Sequence, residues 1–222
     1  METENELFGQ ILGVLEAQQN PADAAAMRAY MQNQFSFLGV RTPERRRIAR
    51  DCFRKTDARH LDWSFIDQCW QSPWREMQYV ALDYLQLRAG LLSPADVPRL
   101  KTLVTRKSWW DTIDNLDRII GGIALRHPEV GQTLLAWSTD ENIWLRRVAI
   151  DHQLLRKKNT NTELLGRILV NNLGRQEFFI NKAIGWALRD YSKTDPAWVR
   201  AFIDTHRQDM AALSLREASK YL

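Results

Sequence analysis

The sequence repeats an aromatic residue at an interval close to one helix–turn–helix unit. Trp74, Trp110, Trp144 and Phe179 each lie near the start of a stretch with helical apolar spacing, and successive members are 36, 34 and 35 residues apart. This period is typical of α-solenoids, in which each helix pair stacks on the next. About six such pairs would account for nearly the whole chain, and side chains one period apart would be neighbours on a concave face formed by the second helices.

Helix-start signals recur along the chain, whereas the alternating apolar–polar stretches typical of β-strands are absent. At four places a residue suited to an N-cap precedes a proline suited to the first helical position. These residues are Thr42, Ser72, Ser93 and Asp195. Capping boxes are predicted at Ser93–Asp96 and Ser108–Asp111. The sequence therefore predicts an all-α fold, an α-solenoid of about six HEAT-like helix pairs forming a single domain over residues 1–222.

Composition excludes several classes of protein. The 222 residues are 45% hydrophobic and 26% charged, which is typical of a soluble globular protein rather than a disordered or fibrous one. Cys52 and Cys69 lie 17 residues apart without CxxC spacing, so we expect no metal site, no disulfide framework and a reducing, cytoplasmic location. No run of 18 apolar residues and no basic–apolar leader occurs, so neither a membrane span nor a signal peptide is predicted.

The net charge of +4 hides an uneven distribution. Residues 1–27 contain five acidic residues and neither lysine nor arginine, whereas residues 142–193 contain ten basic residues and four acidic ones. A second basic cluster spans residues 41–55. Positive charge is thus concentrated locally, and a local basic surface indicates an anionic partner more strongly than the net charge does.

One predicted helix, over residues 177–191, has two distinct faces. Its apolar stripe, which includes Ile180 and Ile184, suffices to pack it against its neighbours. A second stripe mixes aromatic and basic side chains. It consists of Phe179, Lys182, Trp186, Arg189 and Lys193. This stripe is either a solvated face with a partly covered tryptophan or a surface for nucleic acid, in which cations neutralise phosphates and aromatic rings pack on sugars and bases.

The two preceding second helices repeat this arrangement. In the helix from residue 109, Trp109 belongs to the apolar stripe, while Trp110 and Asp114 form an i, i+4 pair on an adjacent face. The helix from residue 142 carries a mixed stripe of its own. It consists of Trp144, Arg147, Asp151 and Lys158. Asp114 is the anomaly among these residues, because a carboxylate repels phosphate and a surface that only binds nucleic acid has no use for it.

Four segments together resemble a known family. They are FLGVRTPERRRIAR (37–50), KSWWDTID (107–114), WLRRVAI (144–150) and FFINKAIGWALRDYSKTDP (178–196). Over roughly residues 25–200 the chain is similar to the AlkD-like DNA alkylation repair family of HEAT-like-repeat DNA glycosylases. The resemblance implies an all-α solenoid with a concave basic and aromatic face. It also implies excision of positively charged alkylated purines of the 3-methyladenine and 7-methylguanine type from duplex DNA.

The resemblance also implies roles for individual residues. Trp110, Asp114 and Trp186 match the catalytic-site residues of the family, and Arg147 matches its DNA-contacting arginine, although the adjacent Arg146 is an alternative. Tyr30 matches an aromatic residue near the DNA. Further candidate DNA contacts on the basic and aromatic faces are Lys182, Arg189, Lys193, Trp144, Arg45 and Lys158.

The chemistry of such a reaction agrees with the residues present. An alkylated purine is a cationic leaving group, so positive charge develops on the deoxyribose, where a carboxylate such as Asp114 can stabilise it and position water. No lysine lies beside Asp114 in the sequence to act as a Schiff-base nucleophile, and Lys182 is the nearest candidate. We therefore expect a monomeric, monofunctional glycosylase of base excision repair that needs no cofactor.

Two other functions remain open from the sequence. A helical-repeat module could bind DNA or RNA without catalysis, and loss of base release in Asp114→Asn with retained duplex binding would distinguish the two. A protein-interaction scaffold would bind duplex DNA weakly and with little dependence on salt, because few phosphates would be neutralised.

Overall fold

The computed structural model describes residues 6–222, so the acidic Glu2 and Glu4 lie outside the described residues. The described residues form thirteen α-helices and four short 3₁₀-helices, and they contain no strand, which confirms the all-α prediction. None of the described helices combines the length and the apolarity needed to cross a membrane. The chain divides into two compact units, Met1–Leu92 and Ser93–Leu222.

From residue 6 onward, the first unit contains five α-helices and one 3₁₀-helix. They are α1 (Glu6–Ala17), α2 (Pro21–Tyr30), α3 (Thr42–Phe53), α4 (Trp63–Gln71), α5 (Arg75–Leu87) and the 3₁₀-helix Ala89–Leu91. Helix α1 packs on α3 and α4, and both of these pack on α5. Phe65 and Trp70 of α4 and Met77 of α5 are fully buried, and burial of such large apolar side chains is the main stabilising contribution to this core.

A buried carboxylate holds the segment that precedes α3. Glu76 is almost fully buried, and its two oxygens accept hydrogen bonds from the backbone N–H groups of Leu38, Gly39 and Val40 at 3.1, 2.8 and 3.3 Å. Gly39 has φ +88°, and a Cβ placed on it would lie 2.1 Å from the carbonyl oxygen of Asn20. The FLGV part of the first motif is therefore required by the fold, since only glycine fits this position.

We expect Gly39→Ala to lower the free energy of unfolding by at least about 2 kcal/mol, because the added methyl group meets backbone in a strained conformation. Chemical denaturation followed by circular dichroism measures this change. Gly90→Ala is the matched control, since no atom lies within 4 Å of its added Cβ and its effect should stay within about 0.5 kcal/mol. Equal stability of the two variants would contradict the prediction.

The second unit contains eight α-helices and three 3₁₀-helices. The α-helices are α6 (Val97–Thr105), α7 (Trp110–Arg126), α8 (Val130–Trp137), α9 (Ile143–Asp151), α10 (Thr162–Val170), α11 (Phe178–Ser192), α12 (Pro196–His206) and α13 (Ala212–Ala218). The 3₁₀-helices are Pro94–Asp96, Lys157–Asn159 and Ser219–Tyr221. The predicted caps at Ser93 and Asp195 are confirmed, since the Ser93 N–H donates to Asp96 and Asp195 accepts from the Trp198 N–H.

The helix pairs of the second unit form a repeat. Its second helices α7, α9, α11 and α13 pack side by side in this order, and α8 packs on α10 among the first helices. At Gly121 of α7 the backbones come so close that an added Cβ would lie 2.1 Å from the carbonyl oxygen of His152. The predicted helical-repeat organisation is therefore present, and it brings the early turns of α7, α9 and α11 together.

Two local predictions for the start of α7 are wrong. Ser108 forms no capping box with Asp111, because its hydroxyl donates to the Val104 carbonyl at 2.6 Å and Trp109 is the N-cap residue. Trp109 is also half-buried rather than part of the apolar core. Trp109 therefore has an extended backbone and precedes α7, whereas helical periodicity predicts it as the first core residue of that helix.

Candidate active site

A carboxylate, a guanidinium and an indole meet on three successive second helices. Asp114 lies one turn into α7, Arg147 one turn into α9 and Trp186 two turns into α11. The Asp114 side chain is 23% exposed and that of Arg147 is 1% exposed. The Arg147 guanidinium carbon lies 5.4 Å from the Trp186 ring centroid. The structure thus brings together three residues that the sequence singles out, but it buries the arginine.

Arg147 fixes the orientation of Asp114. Its Nε and Nη2 both donate to Oδ1 of Asp114, at 3.0 and 2.7 Å, and its Nη1 donates to the Phe179 carbonyl at 2.8 Å. Charge-assisted bonds of this kind are short and strong. Because both bonds end on Oδ1, Oδ2 of Asp114 accepts no hydrogen bond from the described residues. This second oxygen is therefore the one that a substrate or a water molecule can approach.

Two further carboxylates lie behind Asp114. Asp117 and Asp151 are each 1% exposed, and one oxygen of each lies within 4.8 Å of the other and of an oxygen of Asp114. Oδ2 of Asp151 is 3.6 Å from Nη2 of Arg147. Oδ1 of Asp117 and both oxygens of Asp151 have no hydrogen-bond partner. One buried guanidinium therefore faces several carboxyl groups. The sequence analysis named Asp151 together with Arg147 but placed both on a mixed surface stripe, so it did not predict their burial.

Burial raises the pKa of all three carboxyls. For Asp114, burial outweighs the lowering effect of Arg147. For Asp117, burial and the neighbouring Asp151 and Asp114 raise the pKa well above its usual range. For Asp151, burial raises the pKa to about 7 although Arg147 opposes this. Burial therefore favours the protonated form of each carboxyl, most strongly for Asp117, and the nearby Arg147 and Arg118 oppose this only in part.

The three carboxyls have the spacing that can hold a metal ion. The Arg147 guanidinium, however, already lies between two of them, 2.7 Å from an oxygen of Asp114 and 3.6 Å from one of Asp151. It therefore occupies the position in which a bound cation would balance their charge, and the donor set fits an arginine better than a metal.

Cations surround the Trp186 ring. Lys182 Nζ lies 5.1 Å and the Arg189 guanidinium carbon 5.8 Å from its centroid. Lys182 is also 5.4 Å from the ring of Phe178, whose side chain is 56% exposed. The predicted stripe on α11 thus includes Phe178 and not Phe179. Phe178 lies four residues before Lys182, and residues four apart share one face of a helix. This spacing could have identified Phe178 as a member of the stripe from the sequence.

Trp144 and Phe179 belong to an aromatic cluster with Trp109. The ring centroids of Trp109 and Trp144 are 5.8 Å apart, those of Trp109 and Phe179 5.2 Å, and those of Trp144 and Phe179 5.0 Å. The row predicted through Trp110 therefore runs through Trp109, one residue earlier. Trp144, which the sequence placed on a mixed aromatic and basic stripe, is half-buried because it packs on the rings of Trp109 and Phe179.

The adjacent Arg146 has a different partner from Arg147. Arg146 is buried and forms an ion pair with Glu177 at the start of α11. The structure therefore distinguishes the two neighbouring arginines, since only Arg147 reaches Asp114. Lys158 and Lys193 are exposed, and Lys193 Nζ lies 4.8 Å from the Tyr221 ring centroid.

Two sequence-predicted DNA contacts lie in the first unit. Tyr30, at the end of α2, is 71% exposed. Arg45 is buried, pairs with Asp83 at 3.1 Å and lies 4.8 Å from the Tyr79 ring centroid. Arg45, a candidate DNA contact within the basic cluster of residues 41–55, is therefore inaccessible to a large ligand.

The chain is similar to known proteins over most of its length. The family model described as DNA alkylation repair enzyme matches residues 11–222. A solved structure, described as a predicted DNA alkylation repair enzyme from Enterococcus faecalis, is 36% identical and superimposes with a TM-score of 0.84. The similarity covers 92% of this chain and 96% of that one. No curated protein matches the chain.

Proposed function

Since this chain belongs to the family of DNA alkylation repair enzymes, we propose that it is a monofunctional DNA glycosylase. Its substrates are cationic alkylated purines in duplex DNA, of the 3-methyladenine and 7-methylguanine type. The observation that carries this proposal is the half-buried Asp114 carboxylate, which keeps one oxygen unbonded while the other is held by Arg147, an arginine that lies 5.4 Å from the Trp186 ring. A surface that only binds DNA has no use for such a group.

Asp114 acts on the charge that develops as the glycosidic bond breaks. The alkylated base leaves with the bonding electrons and becomes neutral, so positive charge passes to the deoxyribose. Oδ2 of Asp114 stabilises this charge and orients the water molecule that attacks the anomeric carbon. At about 4 Å and an effective dielectric constant near 20, two unit charges interact by roughly 4 kcal/mol. If this interaction is specific to the transition state, it corresponds to about a thousandfold in rate.

Arg147 serves the carboxylate rather than a phosphate. It is 1% exposed, and its donors are directed at Asp114 and the Phe179 carbonyl. These bonds hold Oδ1 of Asp114 in place and leave Oδ2 directed at the substrate. A preorganised carboxylate of this kind needs no reorientation as the transition state forms.

Exposed and half-buried residues around Asp114 contact the DNA. Trp110 and Trp186 pack on the sugar–phosphate backbone beside the lesion, and Lys182, Arg189 and Lys193 neutralise phosphates. Lys158 extends these contacts, and the exposed Tyr30 is a DNA contact of the first unit by itself, whereas the buried Arg45 and Arg146 stabilise the fold. Trp144 supports this surface through its packing on Phe179.

Incubation with methylated duplex DNA tests the proposed function. We expect release of 7-methylguanine and 3-methyladenine, measured by chromatography, and abasic sites that break only after alkali treatment. Strand cleavage before alkali treatment would contradict the monofunctional mechanism, with Lys182 the first nucleophile to test. Tight duplex binding without base release would instead identify a non-catalytic DNA-binding module.

A further inference from the structure

Arg147 is shared between two carboxylates. Its Nη2 lies 2.7 Å from Oδ1 of Asp114 and 3.6 Å from Oδ2 of Asp151. Asp151 lies one turn after Arg147 on α9, is 1% exposed and has no hydrogen bond on either oxygen. A buried carboxylate without hydrogen bonds is costly unless an opposite charge balances it. Any negative charge on Asp151 therefore acts directly on the guanidinium that holds Asp114.

Of the two buried carboxyls, Asp117 retains a proton more readily than Asp151. It is also buried, but among the described residues it forms no ion pair with Arg147 within 4 Å. Two buried carboxyls this close cannot both ionise readily, because like charges at short range repel strongly. The carboxyl nearer the guanidinium ionises first. Asp151 is therefore the member of the pair that changes charge, while Asp117 stays protonated.

We propose that Asp151 is a positioning residue for base release, which draws the Arg147 guanidinium partly away from Asp114 when it ionises. Asp114 then presents more negative charge to the sugar. Asp151 does not touch the substrate, and it acts only through Arg147 and its own electric field. This inference rests on the proposed glycosylase function.

The direction of the resulting pH dependence follows from the charges around Asp151. Helix α7 presents Asp114, Asp117 and Arg118 to it, and α9 presents Arg147. On α11, Lys182 and Arg189 lie over the Trp186 ring. Burial raises the pKa of Asp151 to about 7. As the pH rises through this value, the group gains one negative charge, which favours the cationic transition state.

The experiment compares rate enhancements between pH 6 and pH 8. Single-turnover release of 7-methylguanine is divided by the uncatalysed release from the same DNA at each pH, so that titration of the lesion cancels. We expect the wild-type enhancement to rise roughly tenfold over this range, the size of effect that one added and partly screened charge near the reacting sugar can have. In Asp151→Asn, which mimics the protonated carboxyl, the profile should be flat.

Two further variants separate this effect from a structural one. Asp117 is as buried as Asp151, and Asp117→Asn should keep the rise, because Asp117 does not change charge over this range. The exposed Asp204→Asn should also keep it. A pH profile is the appropriate measurement, since a side chain that only supports the fold would change the rate at every pH by a similar factor.

Each outcome decides the inference. A wild-type enhancement that does not increase with pH overturns it, as does a rise that persists in Asp151→Asn. If Asp151→Asn does not fold, a rising wild-type profile that persists in Asp117→Asn supports Asp151, and a flat Asp117→Asn profile overturns the assignment. No base release by the wild type at any pH overturns both the proposed function and this inference, whereas release without the rise overturns the inference alone.

Discussion

Asp114→Asn is expected to lower the rate of alkylpurine release by about a hundred- to a thousandfold, the range associated with loss of one preorganised electrostatic contact. Asparagine keeps the size of the side chain but removes the negative charge that stabilises the deoxyribose cation. The fold should survive the change, because the asparagine oxygen can still accept from Arg147, which bonds Asp114 at 3.0 and 2.7 Å.

Affinity for duplex DNA should stay the same or increase in this variant. A carboxylate repels phosphates, and its removal adds one positive charge to the surface around Trp186. Single-turnover release of 7-methylguanine and equilibrium binding to unmodified duplex measure the two effects separately. Asp204→Asn, at a side chain that is 73% exposed, controls for a general charge effect. Base release by Asp114→Asn at the wild-type rate would remove the basis for the catalytic assignment.

Arg147→Met should lower the free energy of unfolding by about 3–5 kcal/mol at pH 8, the range found when one partner of a buried ion pair is removed. Methionine fills much of the space but leaves Asp114 and Asp151 without their cation. The carbonyl of Phe179 also loses its donor. Chemical denaturation at several pH values measures the loss.

The loss should be smaller at pH 5 than at pH 8. The folded-state pKa of Asp151 is about 7 and its ordinary value is 3.8, so folding favours its protonated form. Stability from this group is complete below the ordinary value and is lost as the pH rises through about 7. Without Arg147 the carboxyl is still harder to ionise, and the difference between the two pH values increases.

Two variants sharpen this stability test. Arg147→Met combined with Asp151→Asn should recover part of the loss at pH 8, because one of the unbalanced charges is gone. Arg207→Met, at a side chain that is 61% exposed, should change stability by less than about 0.5 kcal/mol. A loss below about 1 kcal/mol in Arg147→Met, or a loss independent of pH, would show that Arg147 does not hold the buried carboxyls.

The helices follow from local chemistry and could be predicted. The Ser93 and Asp195 caps start elements where expected, and apolar spacing identifies buried Ile180 and Ile184. The predicted caps at Thr42 and Ser72 are wrong, because the N-cap residues of α3 and α5 are Arg41 and Trp74. The start of α7 was wrong by a residue because Trp109 is extended there, and periodicity does not show where the backbone leaves the helical conformation. Because of this one-residue error, the aromatic row was predicted to run through Trp110, whereas in the structure it runs through Trp109.

The structure brings Asp114, Arg147 and Trp186 together, but the sequence did not predict how they are arranged. Motif similarity singled out Trp110, Asp114, Arg147 and Trp186. Helix spacing placed Arg147 and Asp151 on one face of α9, which is correct, but it predicted that this face is exposed. In the structure both are 1% exposed, because α7 and α11 pack against α9 on either side.

The sequence by itself determined the all-α class, the period of the helix pairs and the residue types that meet near Asp114, because these depend on spacing along one chain. Only the tertiary structure decided which arginine holds Asp114, and that Asp117 and Asp151 stand behind it. The physical reason is that burial and charge balance depend on neighbouring helices about one repeat away in sequence. A carboxylate whose pKa is 3.8 in water and about 7 in the fold owes the difference to those neighbours.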